Sequence, residues 1–468
     1  MRRSGSRPAP PKPSPEGTPV AEPWEALKRL LTESRRDEIV PFLSSLAPGE
    51  TARAVNRLDD EERHALLTMI EPEEAAGLLD ALPDLEAAGM IEDLSAREAA
   101  AIVEEMPSDH QADLLGDLED REAQAILDHM APPRATTARR LLGYEPETAG
   151  GLMIAEYLAY PDAGTIGDVV EDLRTHGELY SGYNVQYAFV VATDGRLAGV
   201  LRVRDLLLSP AHTVLRNIML PDPLRVPDSA PLDGLKRFFD EHPLFGVPVV
   251  DPDDRLVGIV RRAAVEEALR HRATRTFLAM SGLVGEEELR TMPLRARSFR
   301  RLSWLSLNIV LNVIAASVIA LYQDTLSAVV ALAVFLPIIS DMSGCSGSQA
   351  VAVSIRELTL GLIRPYEFMR VVVKEGAVGI LNGVILGILL GALAYAWKHN
   401  IYLSLVVAAA LSINTVVAVL VGGLIPLLLK RLKLDPALAS GPILTTVTDM
   451  CGFFFVLSFA TVMLSRLT

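Results

Sequence analysis

The chain of 468 residues is short of the groups that most chemistry needs. It has only two cysteines, Cys345 and Cys451, both in apolar stretches, which excludes a disulfide framework and a zinc-ligand spacing. None of its eight histidines falls inside an apolar run, and no nucleophile–base pair is apparent. An intramembrane enzyme is therefore not expected. No Gly-x-x-x-x-Gly-Lys-Ser/Thr run is present, so no P-loop ATPase is expected. Positive charge is scarce in the front half. Residues 300–468 hold 7 acidic and 11 basic side chains, which leaves 52 and 33 in residues 1–299, a net of −19. Phosphate contacts need clustered Lys and Arg, so no nucleic-acid partner is expected. Residues 1–19 begin with three basic side chains but have no apolar run after them. They read as a disordered tail over 1–23, not a signal peptide.

What the chain has is apolar sequence, gathered at one end. Hydrophobic residues make up 50% of the whole. Residues 302–322 carry no charge. Residues 326–340 are apolar and give way to Ser343-Gly344-Cys345-Ser346-Gly347-Ser348-Gln349, after which apolar sequence resumes at Ala350. Residues 376–397 and 401–429 are uncharged, and 442–464 are apolar except for Asp449. A helix needs about 20 apolar residues to cross a bilayer, so five spans are expected, the second of them broken. Basic loops alternate with poor ones: Arg295, Arg297, Arg300 and Arg301; then none at 323–325; then Arg356, Arg364, Arg370 and Lys374; then Lys398 alone; then Lys430, Arg431 and Lys433. The positive-inside rule places the long N-terminal part in the cytoplasm and Thr468 outside.

Two repeats organise the acidic part. Leu46, Leu58, Ile70, Leu82, Leu94, Met106, Leu118 and Met130 recur every 12 residues. Apolar pairs such as Leu66-Leu67, Leu78-Leu79 and Ile102-Val103 follow in register. Asp, Pro or Ser tends to follow each repeat start, as such residues do at helix beginnings. Each unit reads as a turn and a short helix that buries its apolar face only against its neighbours. An all-α, right-angled superhelix over 24–143 is expected. The second repeat has a period of 59: Val190-Val191 with Arg196-Leu197-Ala198-Gly199-Val200-Leu201-Arg202, then Val249-Val250 with Arg255-Leu256-Val257-Gly258-Ile259-Val260-Arg261. Each copy reads as strand, turn, strand and helix, and the tandem resembles a pair of CBS domains, at 144–216 and 217–270. CBS pairs often bind adenine nucleotides through Gly, two apolar residues, Thr, two more residues and Asp. Here the run 199–205 has Arg202 where Thr is expected, and the second copy ends at Ala264 where Asp is expected. ATP is the candidate nucleotide, and these departures count against it.

Together the pieces resemble the MgtE family of bacterial magnesium channels and transporters. Three motifs carry the resemblance: Tyr144-Glu145-Pro146-Glu147-Thr148-Ala149-Gly150-Gly151-Leu152-Met153; Asp435-Pro436-Ala437-Leu438-Ala439-Ser440-Gly441-Pro442 with Thr445, Thr446 and Asp449; and the run Gly344–Gln349 with Arg356 after it. It implies a multidomain membrane protein with a superhelical domain, a CBS pair, a connecting (plug) helix over 271–300 and a five-helix transmembrane domain over 301–468. It also implies a homodimer in the inner membrane that imports Mg2+ through a central pore, and cytosolic domains that sense Mg2+.

The residues themselves support a pore. An ionised carboxylate in an apolar span belongs beside water or a partner, so Asp449 is the first candidate ion contact, with a structural Asp bonded to Thr445 or Thr446 as the plain alternative. A broken span frees carbonyls, which are tolerated at membrane depth only along a cavity or inside protein. Gly344, Gly347, Ser348 and Gln349 are thus expected along the same path, unless the glycines serve helix contact. Asp341 and Asp435 could gather cations, although Asp435 before Pro436 also suits a helix start. Candidate regulatory acids are Glu73, Glu74, Asp93, Asp109, Asp222, Asp228, Glu266 and Glu267. Two departures from the family bear on these expectations. Ser343-Gly344-Cys345 stands where relatives commonly have Gly-Gly-Asn; an amide oxygen suits hard cations and a thiol softer ones, so Co2+, Mn2+ or Ni2+ are expected to pass as well. Arg261, Arg262, Arg270, Arg272 and Arg275 make the connecting region basic where relatives are acidic, so cation binding between the connecting helix and the CBS pair is expected to be weaker or to give way to direct Arg–carboxylate pairs. The competing reading is a membrane-anchored CBS sensor scaffold without transport, which needs neither Asp449 nor a broken span.

Overall fold

The computed structural model describes residues 22–177, 180, 183, 187–283 and 294–467. Residues 1–21 of the expected tail and 284–293 of the expected connecting helix lie outside the described residues. The chain forms two compact units, 1–269 and 270–468.

In the first unit, helices α1 to α10 run Pro23–Thr32, Arg36–Ser45, Pro48–Val55, Asp60–Met69, Pro72–Asp80, Asp84–Glu92, Ala96–Val103, Ser108–Asp117, Asp120–His129 and Pro132–Leu141. The 12-residue period is visible in how each helix begins and ends. Pro occupies the first turn of α3, α5 and α10, where its missing N–H costs nothing. Asp59 and Ser95 cap α4 and α7, with Glu62 and Glu98 closing capping boxes. The paired apolar residues all point inward: Leu66, Leu67, Leu78, Leu79, Ile102 and Val103 are buried, as are the repeat markers Leu58, Ile70, Leu82 and Met106. Contacts join helices two apart in the chain, α5 with α7, α6 with α8, α7 with α9 and α8 with α10. This is how short amphipathic helices that cannot stand alone share one continuous core.

After a short helix, α11 (Ala149–Leu152), come strands β1 (Met153–Ile154) and β2 (Leu158–Pro161), helix α12 (Ile166–Thr175), β3 (Tyr187–Val191), β4 (Leu197–Arg202) and α13 (Val203–Leu208). Then follow β5 (Leu220–Pro221), β6 (Val226–Pro227), α14 (Leu232–Glu241), β7 (Gly246–Val250), β8 (Leu256–Arg261) and α15 (Arg262–Met280). Two four-stranded sheets form, ordered β1-β8-β7-β6 and β2-β3-β4-β5. Each exchanges an edge strand across position 216: β1 pairs with β8, Met153 opposite Val260, and β5 pairs with β4. The sequence repeat is a spatial pseudo-two-fold. Arg196 bridges Arg255, its own counterpart 59 residues on. The Leu197 N–H donates to the Asp254 carbonyl at 3.1 Å, and reciprocally the Leu256 N–H donates to the Gly195 carbonyl at 3.3 Å.

The second unit is helical: α16 (Leu294–Leu321), α17 (Gln323–Ala328), α18 (Leu332–Thr359), α19 (Phe368–Lys398), α20 (Ile401–Arg431), α21 (Pro436–Val462) and α22 (Leu464–Leu467). Helices α19, α20, α21 and the 297–321 part of α16 are long and apolar enough to cross a membrane. Helix α18 has the length, 28 residues, but less apolar sequence. Turn chemistry separates the helices. Gly361 at φ +68° ends α18, and the Leu362 N–H returns to the Glu357 carbonyl at 2.9 Å. His399 in the left-handed region ends α19, and Asn400 caps α20 through the Tyr402 and Leu403 amides.

One expectation is corrected here. The second span is not broken: α18 runs unbroken through Ser343–Gln349, so no carbonyl is freed there. The small residues form a packing seam instead. A side chain at Gly347 would meet the Ala418 carbonyl at 2.9 Å and Leu444, and a side chain at Gly422 would strike the Gly347 main chain. Ser343 and Ser346 hydroxyls donate back to the Ile339 and Met342 carbonyls, 2.7 and 3.1 Å. Small residues spaced this way let helices approach closely without leaving backbone groups unpaired.

Candidate functional site

Asp449 is the fourteenth residue of the 27-residue α21, about 20 Å from its start at the α-helical rise. That is the middle of the helix, deeper than the apolar run alone suggests, because the helix begins six residues earlier at Pro436. The side chain is half-buried. Ser340 of α18 donates its hydroxyl to the Asp449 carboxylate. Gly344, one turn beyond Ser340, faces the same helix: a Cβ there would lie 3.9 Å from the Thr448 hydroxyl. Thr445, one turn before Asp449, is exposed, and its hydroxyl donates to the Gly441 carbonyl at 3.1 Å. Thr446 donates to the Pro442 carbonyl at 2.7 Å. Neither threonine bonds the carboxylate within its own helix; the donor comes from α18.

The other pore candidates are spread out. Asp341, Ser348 and Gln349 are exposed along α18, on the same side as Cys345, away from the seam formed by Ser343, Ser346 and Gly347. Asp435 caps α21, accepting the Ala437 N–H at 2.8 Å. It borders a hollow of about 260 Å³ with Arg272, Arg275, Thr276, Ala279, Leu283 and Leu438, so this end of the helix carries basic as well as acidic side chains. The structure therefore gathers Asp449, Ser340, Gly344 and Thr448, keeps Thr445 one turn away, and leaves Asp341 and Asp435 apart.

The candidate regulatory acids do not converge. Among the described residues no three His, Cys, Asp or Glu side chains form a group that could hold a metal. Glu73 and Glu74 are exposed in the first turn of α5, Asp93 is exposed at the end of α6, and Glu266 and Glu267 are exposed on α15. Asp222 pairs with Arg225 at 2.6 Å, and the Asp228 carbonyl accepts the Gly150 N–H at 2.8 Å. Asp109 is 5% exposed and pairs with Arg261 at 2.8 Å. The pair joins α8 to the last residue of β8, not the connecting helix to the CBS pair. Next to it the Ser108 hydroxyl donates to Glu156 at 2.7 Å and accepts the Ala155 N–H at 2.8 Å, so α8 is bound to the stretch just after β1. In the nucleotide run, the Arg202 guanidinium pairs with Asp205 at 2.9 Å, engaging the carboxylate that a ribose would need.

Comparison with known proteins places this arrangement. Residues 46–147 match the MgtE intracellular N domain, 215–271 the CBS domain and 336–459 the divalent cation transporter domain of MgtE. The magnesium transporter MgtE of Thermus thermophilus is 33% identical over 327 residues, which cover 69% of this chain and 72% of that protein. The chain belongs to the MgtE family. The Enterococcus faecalis magnesium transporter MgtE is 30% identical over 322 residues, 69% of this chain and 70% of that one. The Bacillus subtilis MgtE is 29% identical over 327 residues, 70% and 72%. A solved cytosolic domain of the Mg2+ channel MgtE in complex with ATP is 29% identical and aligns with 52% of this chain and 99% of its own, at a TM-score of 0.47. Like its MgtE relatives, the chain is a multi-pass membrane protein with a helical N domain and a CBS pair.

Residues that sequence reading passed over complete the site. Ser340 stands just before Asp341 at the end of an apolar run. Asn414 is the sole Asn, Gln or charged side chain in residues 401–429, and Thr448 directly precedes Asp449. Asn414, the one amide in its uncharged span, carried its own signal; Ser340 and Thr448 had only their places beside Asp341 and Asp449.

Proposed function

We propose that this MgtE chain carries Mg2+ across the bacterial inner membrane as a homodimer, with its N-terminal unit in the cytoplasm. The observation that carries the reading is Asp449: a carboxylate at the middle of an apolar helix, bonded to one hydroxyl from a neighbouring helix and otherwise half open. An anchor needs no such group, and a charge at that depth is costly unless it meets water or a counter-ion. Two copies related by a two-fold axis would set two carboxylates across one passage. Mg2+ gives up its waters reluctantly and suits one or two carboxylates with hydroxyls and carbonyls around it. Asp449 would contact the hydrated ion, with Thr445, Gly344, Ser348 and Gln349 lining its path, and with Asp341, beside Ser340, and Asp435, at the start of α21, gathering cations. A membrane potential of about 100 mV supplies roughly 4.6 kcal/mol for two positive charges moving inward, which suffices without ATP hydrolysis. The geometry supports transport. The exposed thiol of Cys345, a softer group than an amide oxygen, favours admission of Co2+ beside Mg2+, with Mn2+ the other divalent cation to test.

Regulation follows from the same parts. The exposed acids Glu73, Glu74, Asp93, Glu266 and Glu267, with Asp222 and Asp228, would feel cytosolic Mg2+ by charge screening, which favours a compact closed state. ATP is the nucleotide to test on the CBS pair, against the Arg202–Asp205 pair.

The deciding measurement is Mg2+ uptake by proteoliposomes carrying wild type or Asp449→Ala. Uptake should fall to the background of empty vesicles in the variant. Unchanged uptake in the variant would remove Asp449 from the ion path, whereas wild-type uptake no greater than that of empty vesicles would favour the sensor-scaffold reading.

A further inference from the structure

The polar side chains buried inside the second unit are mostly satisfied within their own helices. The Thr415 hydroxyl donates to the Leu411 carbonyl at 2.8 Å, Ser440 to the Pro436 carbonyl and Thr448 to the Thr445 carbonyl at 3.0 Å. Asn414 on α20 is different. It is 0% exposed, and its Nδ2 crosses to α21, donating to the Thr448 carbonyl at 3.0 Å. Its Oδ1 is buried with no hydrogen-bond partner. A half-satisfied buried amide is poorer for stability than an apolar side chain of the same shape. Its presence needs a return elsewhere.

The neighbouring residue shows a fitted seat. Gly452 lies one turn beyond Thr448. A Cβ on Gly452 would fall 2.8 Å from Asn414 Nδ2, so any side chain there would expel the amide. In a regular α-helix the Thr448 carbonyl also accepts from the residue-452 N–H, and its second lone pair is free for Asn414. The contact therefore pins one point on the α21 backbone, one residue before Asp449, while Ser340 of α18 holds the carboxylate from another helix.

We propose that Asn414 is a positioning residue for Asp449. By bonding the Thr448 carbonyl it fixes the rotation and axial register of α21, so that the carboxylate meets the ion path at a set depth and angle. The inference rests on the reading of Asp449 as the ion contact. Selection among divalent cations depends on how closely two carboxylates approach a hydrated ion, so Asn414 acts on ion discrimination through Asp449 without touching the ion.

The test uses full-length protein in liposomes, with Mg2+ uptake measured against Mg2+ concentration and under Co2+ competition. The variants are Asn414→Ala, Gly452→Ala, the double variant and Asp449→Ala. Asn414→Ala and Gly452→Ala should each raise the half-saturating Mg2+ concentration by about tenfold and shift Co2+ competition in the same direction. The double variant should be no worse than Asn414→Ala, because the alanine methyl enters space the amide has left. If Asn414→Ala does not elute as a folded species, Gly452→Ala, which retains Asn414, carries the comparison. Loss of thermal stability with half-saturation and Co2+ competition unchanged would overturn the proposal and leave Asn414 a packing residue. Loss of uptake in Asp449→Ala beside unchanged selectivity in the other variants would sink this inference alone. Normal uptake in Asp449→Ala would remove the reading beneath it.

Discussion

Asp109 and Arg261 are 152 positions apart in the chain and form a 2.8 Å ion pair. The pair joins α8 of the helical domain to the last residue of β8. The carboxylate is almost wholly enclosed, whereas the guanidinium side chain is 35% exposed and its Nε is buried without a partner. Acid on one domain thus meets base on the other directly, with no cation needed between them.

Removing one partner strands the other. Arg261→Met should therefore destabilise the N-terminal unit by about 3 kcal/mol, the low end for a buried pair because the guanidinium is partly solvated. Asp109→Leu combined with Arg261→Met should cost less than Arg261→Met alone, since no charge is left behind. Thermal unfolding and limited proteolysis near residues 142–148 measure both. Equal losses in the single and double variants would mean that the charge pair contributes nothing there.

His110 adds a pH dependence. Its hydrogen bond with Asp80, together with the nearby charges of Asp109, Asp80 and Asp113, outweighs partial burial and lifts the imidazole to about 9. A group whose pKa is raised on folding stabilises fully below its unfolded value, near 6.5, and loses that contribution as pH climbs through the folded value. The melting-temperature gap between wild type and His110→Gln should be widest at about pH 6 and close by about pH 10. A gap that widens with pH would contradict the assignment.

Ser340 should matter to transport in proportion to one charge-assisted hydrogen bond. Ser340→Ala should slow Mg2+ uptake by about tenfold, less than Asp449→Ala, and Ser340→Thr should restore most of it by returning the hydroxyl. Full activity in Ser340→Ala would show that the carboxylate is oriented by other groups.

The superhelix was legible because its signal is local and repeated. Leu46 to Met130 recur at one period, and each unit carries its own starter, such as Ser95 or Pro72. The CBS pair was legible from the copy of 196–202 at 255–261. The second span was misread because a run of Gly and Ser looks like a break when no neighbour is in view. In the fold, Gly422 and Leu444 fill the space beside Gly347, and close packing keeps the helix intact.

By itself the sequence determined the elements and their order: which stretches are helical, which are apolar enough for lipid, and that a single acid interrupts the last of them. These follow from periodicity, turn residues and hydropathy, which act over a few residues at a time. Only the tertiary structure decided what that acid meets. Ser340 and Asn414 reach α21 from 109 and 34 positions away, and Arg261 reaches Asp109 from 152. Contacts of that kind depend on how helices and sheets pack, where the absence of a side chain at Gly347 or Gly452 counts as much as any side chain present.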